Sequence, residues 1–156
     1  MKILYICTHN RCRSILSEAI TNHIAKGKLT AFSAGSEPAG EVHPLTLHYL
    51  REKDIPTHNL KSQSWNEFEA SRPDLVITVC DNAASEPCPV WFDNSISIHW
   101  GLADPSKLDG DQHTIREAFY DVMDTIEKRI RKLMTLNLED LSRPEQIAQL
   151  ATLTEI

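Results

Sequence analysis

Within eight residues, Cys7 to Ser14, the sequence CTHNRCRS sets two thiols, two arginines and a histidine beside one another. Such a set could ligate a metal, pair as a disulfide, or make one sulfur unusually acidic. Arg13, six residues after Cys7, offers a planar guanidinium able to grip two oxygens of a tetrahedral anion. Ser14 reads as a helix cap whose hydroxyl could also donate to the Cys7 sulfur. Two more cysteines, Cys80 and Cys88, and a carboxylate beside a proline at Asp104 complete the residues able to do covalent or acid–base chemistry.

The elements around these residues decide among the readings. The apolar run Lys2 to Ile6 fits a buried parallel strand, and Ile15, Leu16, Ala19, Ile20 and Ile24 recur at helical spacing from Ser14 to about Lys26, with Gly27 as the stop. Further strands are expected at Leu29 to Ser33, Asp74 to Val79 and Ser95 to Trp100. Helices are expected at His43 to Lys53, where Pro44 suits the first turn, at Leu60 to Ala70, and over the longest stretch, Gln112 to Leu136. A short amphipathic stretch, Pro144 to Leu153, is assigned packing only. Alternating strands and helices predict an α/β sheet of four parallel strands with helices on both faces, in which ligands sit outside the strands' carboxyl ends. Cys7, Cys80 and Asp104 all follow strands and so belong to that edge.

The whole chain narrows the chemistry. Its 156 residues fit a single domain, read as a core over 1–136 and a C-terminal extension over 137–156, with 41% apolar and 24% charged residues. Sixteen Lys plus Arg against 22 Asp plus Glu leave a net charge of −6, which argues against nucleic acid or an anionic membrane as the main partner. Any bound anion must be held locally. The apolar start is too short for a signal-peptide core and no run approaches the roughly 20 residues of a membrane span. A cytoplasmic protein is expected, whose thiols stay reduced and serve catalysis or metal binding.

A loop between a buried strand and a helix aims backbone N–H groups and the helix's positive end into one concavity. A thiolate is itself an anion, so a cysteine at its mouth can fall from about 8.5 to roughly 3.5–7.5 in pKa. Cys7 is that residue, and Thr8, His9, Asn10, Arg11, Cys12, Arg13 and Ser14 surround the anion. Three plainer readings stand beside it: a buried apolar Cys7, a packed Cys12 thiol, and a zinc site from all four cysteines, whose spacings miss the short C-x2-4-C knuckles. Asp-Pro at Asp104 is an ordinary turn by itself; beside a C-x5-R loop it reads as the acid that protonates a leaving oxygen.

The C-x5-R-S loop near the N-terminus and the late Asp-Pro pair together resemble the low-molecular-weight protein tyrosine phosphatase family. The resemblance extends over roughly Met1 to Leu136 and implies a flavodoxin-like three-layer sandwich, a phosphate-binding loop at Cys7 to Arg13 and Asp104 as proton donor. CTHNRCRSILSEA, VITVCDNA and HWGLADPS are similar to the arsenate reductase branch, and Ser106 stands where many phosphatases carry an aromatic residue. Cys80 and Cys88 flank DNAASEP as resolving cysteines do in thioredoxin-coupled reductases, with seven residues between them, one more than in some members; a flexible loop tolerates that.

What this resemblance implies is arsenate reduction to arsenite. Cys7 attacks arsenate, Asp104 protonates the departing hydroxide, Cys80 takes Cys7 into a disulfide, and Cys88 moves the disulfide to Cys80–Cys88 for reduction by thioredoxin. Glutaredoxin is the less favoured reductant, since a Cys80–Cys88 bridge calls for a dithiol. Phosphate and sulfate are expected to compete with arsenate. No tightly bound cofactor is expected; Asn10, Glu18 and Ser33 match positions that bind potassium in some relatives. A monomer is expected. Two rivals share residues with this reading: a phosphotyrosine phosphatase using Cys7, Arg13 and Asp104, and a metal- or oxyanion-sensing module using the four thiols.

Overall fold

The computed structural model describes residues 1–80 and 95–155. Four parallel strands, β1 (Lys2–Ile6), β2 (Thr30–Ala34), β3 (Leu75–Thr78) and β4 (Ile96–His99), form one sheet in the order β2-β1-β3-β4. With its helices this is the flavodoxin-like arrangement expected from the sequence. The apolar run of β1 explains its central place: Ile3, Leu4, Tyr5 and Ile6 are all fully buried. A strand covered on both faces needs side chains apolar on both sides, and each such aliphatic residue contributes about 1.5–3 kcal/mol through burial. Tyr5 fits there because its hydroxyl meets Thr21 Oγ1 at 2.8 Å.

The helices are α1 (Arg13–Ile24), α2 (Pro44–Glu52), α3 (Gln112–Thr135) and α4 (Arg143–Ala151). The long α3 buries Phe119, Val122, Met123, Ile126, Ile130 and Leu133, one face at helical spacing, and starts at Asp111, whose carboxylate accepts from Thr114 N at 2.8 Å. The amphipathic stretch near the C-terminus is α4, capped by Ser142 and burying Leu150. No helix among the described residues is long and apolar enough to cross a membrane.

Two expectations need correction. The helix read at Leu60 to Ala70 is a shorter 3-10 helix, Trp65–Ser71, because the Ser64–Glu67 capping box fixes its start: Ser64 N donates to Glu67 Oε2 while Ser64 Oγ accepts from Asn66 N. Ser14 does not cap α1. The cap position falls on Cys12, and Ser14 lies inside the helix, fully buried, accepting from Asn10 Nδ2 at 2.8 Å. Ordinary propensity favours serine at a cap, but here Asn10 takes the serine oxygen first.

Hydrogen bonds carry the ladder past the strand ends and align the next residues. Cys7 N donates to Ala34 O, Val79 N to Ile6 O, Trp100 N to Thr78 O and Leu102 N to Val79 O. Cys7, Cys80 and Asp104 therefore emerge from one edge of the sheet.

Candidate active site

The loop after β1 is shaped by its own residues. Asn10 has a φ of 46°, a left-handed conformation that asparagine adopts more readily than most residues, and it is fully buried. Its amide donates to Ser14 Oγ and its oxygen accepts from Gln63 N at 2.9 Å. The outer side of the loop is anchored to the start of α2: His43 N and Thr46 Oγ1 both donate to Arg11 O, at 3.0 and 3.2 Å. Gly35, at the end of β2, lies so close that a Cβ there would meet Thr8 O at 2.4 Å and Cys7 O at 2.6 Å. Neither a side-chain cap nor a first-turn carboxylate occupies the start of α1, so its positive end stays available to an anion.

The edge closes around a cavity of about 120 Å³ whose lining includes Cys7, Arg13, Cys80, Asp104 and Ser106. That is room for a small oxyanion. A roomier cavity of about 400 Å³ beside Glu18 and Asn22 holds neither thiol nor guanidinium, so size alone does not mark the reactive place. Arg13 reaches across the pocket: Nη1 donates to Leu102 O at 3.0 Å and Nη2 lies 3.6 Å from Asp104 Oδ2, while its buried Nε has no hydrogen-bond partner among the described residues. A buried donor left open beside a thiol suits an anionic guest, since leaving it unmet costs about 1–3 kcal/mol. Asp104 caps a single 3-10 turn, Pro105–Lys107, with Oδ1 accepting from both Ser106 N at 3.0 Å and Ser106 Oγ at 2.6 Å.

Cys80 sits on the same floor. It is buried, Thr8 N lies 3.4 Å and Thr8 Oγ1 3.7 Å from its sulfur, and its thiol shares a hydrogen bond with Cys7. Here the structure overturns an expectation: Cys7 is not depressed but pushed well above the usual thiol range. The leading cause is the hydrogen bond with Cys80, followed by burial and the charge of a deprotonated Cys80; Arg13 pulls the other way and Asp104 adds to the rise. Proximity of a second sulfur outweighs the guanidinium because two neighbouring thiols cannot both ionise cheaply. Cys12 is pushed up to about 11, chiefly by burial.

The remaining sequence candidates divide cleanly. Thr8, His9, Arg11 and Cys12 line the pocket with Cys7 and Arg13, whereas Asn10 and Ser14 shape it from behind. Cys88 lies outside the described residues. No group of three or more His, Cys, Asp or Glu suited to a metal occurs among the described residues. Glu18, pushed up to about 7 by burial, accepts from Ser33 Oγ at 2.6 Å, and Gln63 links this pair to Asn10 by donating its side-chain amide to Ser33 O and its backbone N–H to Asn10 Oδ1. Asn10, Glu18 and Ser33, the residues expected to hold potassium, are thus all buried and linked through Gln63.

Sequence reasoning missed His43, Thr46 and the Ser106 contacts. His43 lines the pocket and caps α2 through Nδ1, which accepts from Leu45 N at 3.1 Å; its pKa is lowered by burial and then by Arg11. The only signal was a histidine before Pro44 at a helix start, which says cap and nothing about the pocket.

The parallel sheet thus carries a C-x5-R loop and an Asp-Pro turn together at its carboxyl edge. The chain belongs to the low molecular weight phosphotyrosine protein phosphatase family, whose sequence pattern matches residues 2–147. Its relatives point to one branch. The arsenate reductase of Halalkalibacterium halodurans is 33% identical over 129 residues, 83% of this chain and 91% of that protein. The glutaredoxin arsenate reductase of Synechocystis sp. is 29% identical over 133 residues, 85% of this chain and 95% of that one. The solved thioredoxin-dependent arsenate reductase of Corynebacterium glutamicum superposes with a TM-score of 0.65 at 27% identity, covering 85% of this chain and 59% of that chain.

Proposed function

We propose that this chain reduces arsenate to arsenite. The observation that carries the reading is the placement of two thiols, Cys7 and Cys80, on the floor of one oxyanion-sized cavity with Arg13 and Asp104. Phosphate ester hydrolysis needs only the first sulfur; a two-electron reduction needs both. Arg13 and the loop amides hold the tetrahedral dianion. The Cys7 thiolate attacks arsenic, an As–O bond breaks with its electron pair on oxygen, and Asp104 supplies the proton that lets this oxygen leave as water. Cys80, as thiolate, then attacks the Cys7 sulfur. The S–As bond breaks with its pair on arsenic, so arsenite departs and a Cys7–Cys80 disulfide remains.

Cys88 exchanges with this disulfide, restoring Cys7 and leaving Cys80–Cys88 for an external dithiol. Thioredoxin is the proposed reductant, because an intramolecular disulfide between two resolving cysteines is reduced completely by a dithiol. The chain acts as a monomer in the reducing cytoplasm. Potassium held by Asn10, Glu18 and Ser33 belongs to the same proposal; it would offset the buried Glu18 charge and stiffen the back of the loop.

The test is arsenite production by purified protein with thioredoxin and its reductase, or with glutathione and glutaredoxin, each offered alone. Sustained arsenite release with thioredoxin is expected, lost in Cys88→Ser while aryl phosphate hydrolysis persists. Turnover only with glutathione would replace the reductant, and aryl phosphate hydrolysis with no arsenite from either system would make the chain a phosphatase.

A further inference from the structure

Asp104 makes contacts that the reaction as written does not use. On Asp104, Oδ1 accepts two hydrogen bonds from one residue, from Ser106 N at 3.0 Å and from Ser106 Oγ at 2.6 Å, while Oδ2 lies 3.6 Å from Arg13 Nη2. Ser106 also lines the cavity together with Cys7 and Arg13.

We infer that Ser106 is a positioning residue that makes Oδ2 the proton-delivering oxygen of Asp104. The inference rests on the proposed acid role of Asp104. A carboxylic acid carries its proton on one oxygen, and an oxygen already accepting an N–H and an O–H is the poorer place for it. The proton therefore sits on Oδ2, on the side of Arg13 and the cavity. As it moves to the departing oxygen, Asp104 becomes a full carboxylate, and the two donors on Oδ1 strengthen with the developing charge. Interactions that gain strength only on the way to the transition state speed the step without tightening substrate binding.

Pro105, buried between Asp104 and Ser106, restricts φ and removes one degree of freedom from the turn. Ser106 thereby gains a use beyond lacking an aromatic ring.

The experiment compares wild type with Ser106→Ala and Ser106→Thr. First-turnover arsenite release is measured by mixing with excess arsenate, oxyanion affinity by titration with inorganic phosphate, and folding by thermal melts. Ser106→Ala should slow the first turnover roughly tenfold, the worth of one hydrogen bond to a developing charge, with phosphate affinity and melting temperature unchanged. Ser106→Thr should restore the rate to within about threefold, because a hydroxyl is still a donor. In parallel, aryl phosphates of good and poor leaving group are hydrolysed. Ser106→Ala should slow the poor leaving group more, because only that one needs the proton.

Wild-type rates in Ser106→Ala on both substrates, or a loss that tracks phosphate affinity or melting rather than leaving group, would overturn the inference. If wild type releases no arsenite but hydrolyses aryl phosphates, the proposed function fails while the leaving-group comparison still decides the role of Ser106. If it does neither, there is no proton transfer to position, and both fall.

Discussion

Cys7 and Cys12 stand five residues apart in one loop, both buried and both raised above the ordinary thiol range, yet the causes differ. For Cys7 the leading cause is the neighbouring Cys80 thiol; for Cys12 it is burial, with the Thr46 hydroxyl pulling the other way. A raised pKa that comes from one neighbour can be undone by moving that neighbour. One that comes from packing persists until the core opens. Cys7 also has the Arg13 charge ready to stabilise its thiolate once the Cys80 hydrogen bond is gone. Two sulfurs with similar exposure therefore have opposite prospects, one switchable and one fixed, and reactivity follows the origin of the shift rather than its size.

The largest expected effect separates these sulfurs outright. Cys7→Ser should take arsenate reduction and aryl phosphate hydrolysis to background, at least roughly a thousandfold down, whereas Cys12→Ser should cost no more than about tenfold. Comparable losses in steady-state assays would break the distinction. Next, Cys80→Ala should lower the pH at which Cys7 is alkylated and raise its labelling rate at neutral pH by about a hundredfold, leaving Cys12 unlabelled. Peptide mapping after iodoacetamide reads both sites at once. An unchanged Cys7 profile would remove Cys80 as the cause.

Glu18 extends the comparison to an acid raised by packing. Its folded pKa of about 7 lies above the ordinary value of 4.5, so the folded state holds the proton more tightly. That contribution to stability is fully present below about 4.5 and is lost as pH rises through about 7. In potassium-free buffer, wild type relative to Glu18→Gln should lose roughly 2–3 kcal/mol between about pH 5 and pH 8, measured by urea unfolding. A flat difference would show that Glu18 keeps an ordinary carboxyl in the fold. Smallest is Thr46→Val, expected to cost about 1 kcal/mol for the lost hydrogen bond to Arg11 O, with Cys12 remaining a thiol. A larger loss would mean that the loop depends on α2 more than the nucleophile does.

Much of the fold was legible because its signals are local. The apolar run of β1, the helical spacing of α3 and the stop at Gly27 each occupy one stretch, and the structure follows them within a residue or two. The pocket was half legible for the same reason: Cys7 to Arg13 is contiguous, and Asp104 carries its proline with it. The rest depends on partners far apart in the chain. Thr8 meets Cys80 across 72 residues and Arg13 meets Leu102 across 89, and no periodicity announces either contact. The acidity expected for Cys7 failed on this point: the sequence put Cys80 on the same edge, but not how its thiol, set in place by β3, raises the Cys7 pKa. Ser14 failed through competition at short range, where Asn10 claimed the oxygen meant for a cap.

Gly35 gives the nucleophile loop a clearance measured in tenths of an ångström. With backbone oxygens of Cys7 and Thr8 2.6 and 2.4 Å from where a methyl group would stand, the depth of the reactive sulfur is gauged by the smallest side chain available. Every larger residue would act as a shim, lifting the loop off β2 and tilting Cys7 against Arg13 and Cys80 together. The tolerance of the site is thus set at a position that carries no functional group, and alanine there would detune the chemistry without touching any atom that performs it.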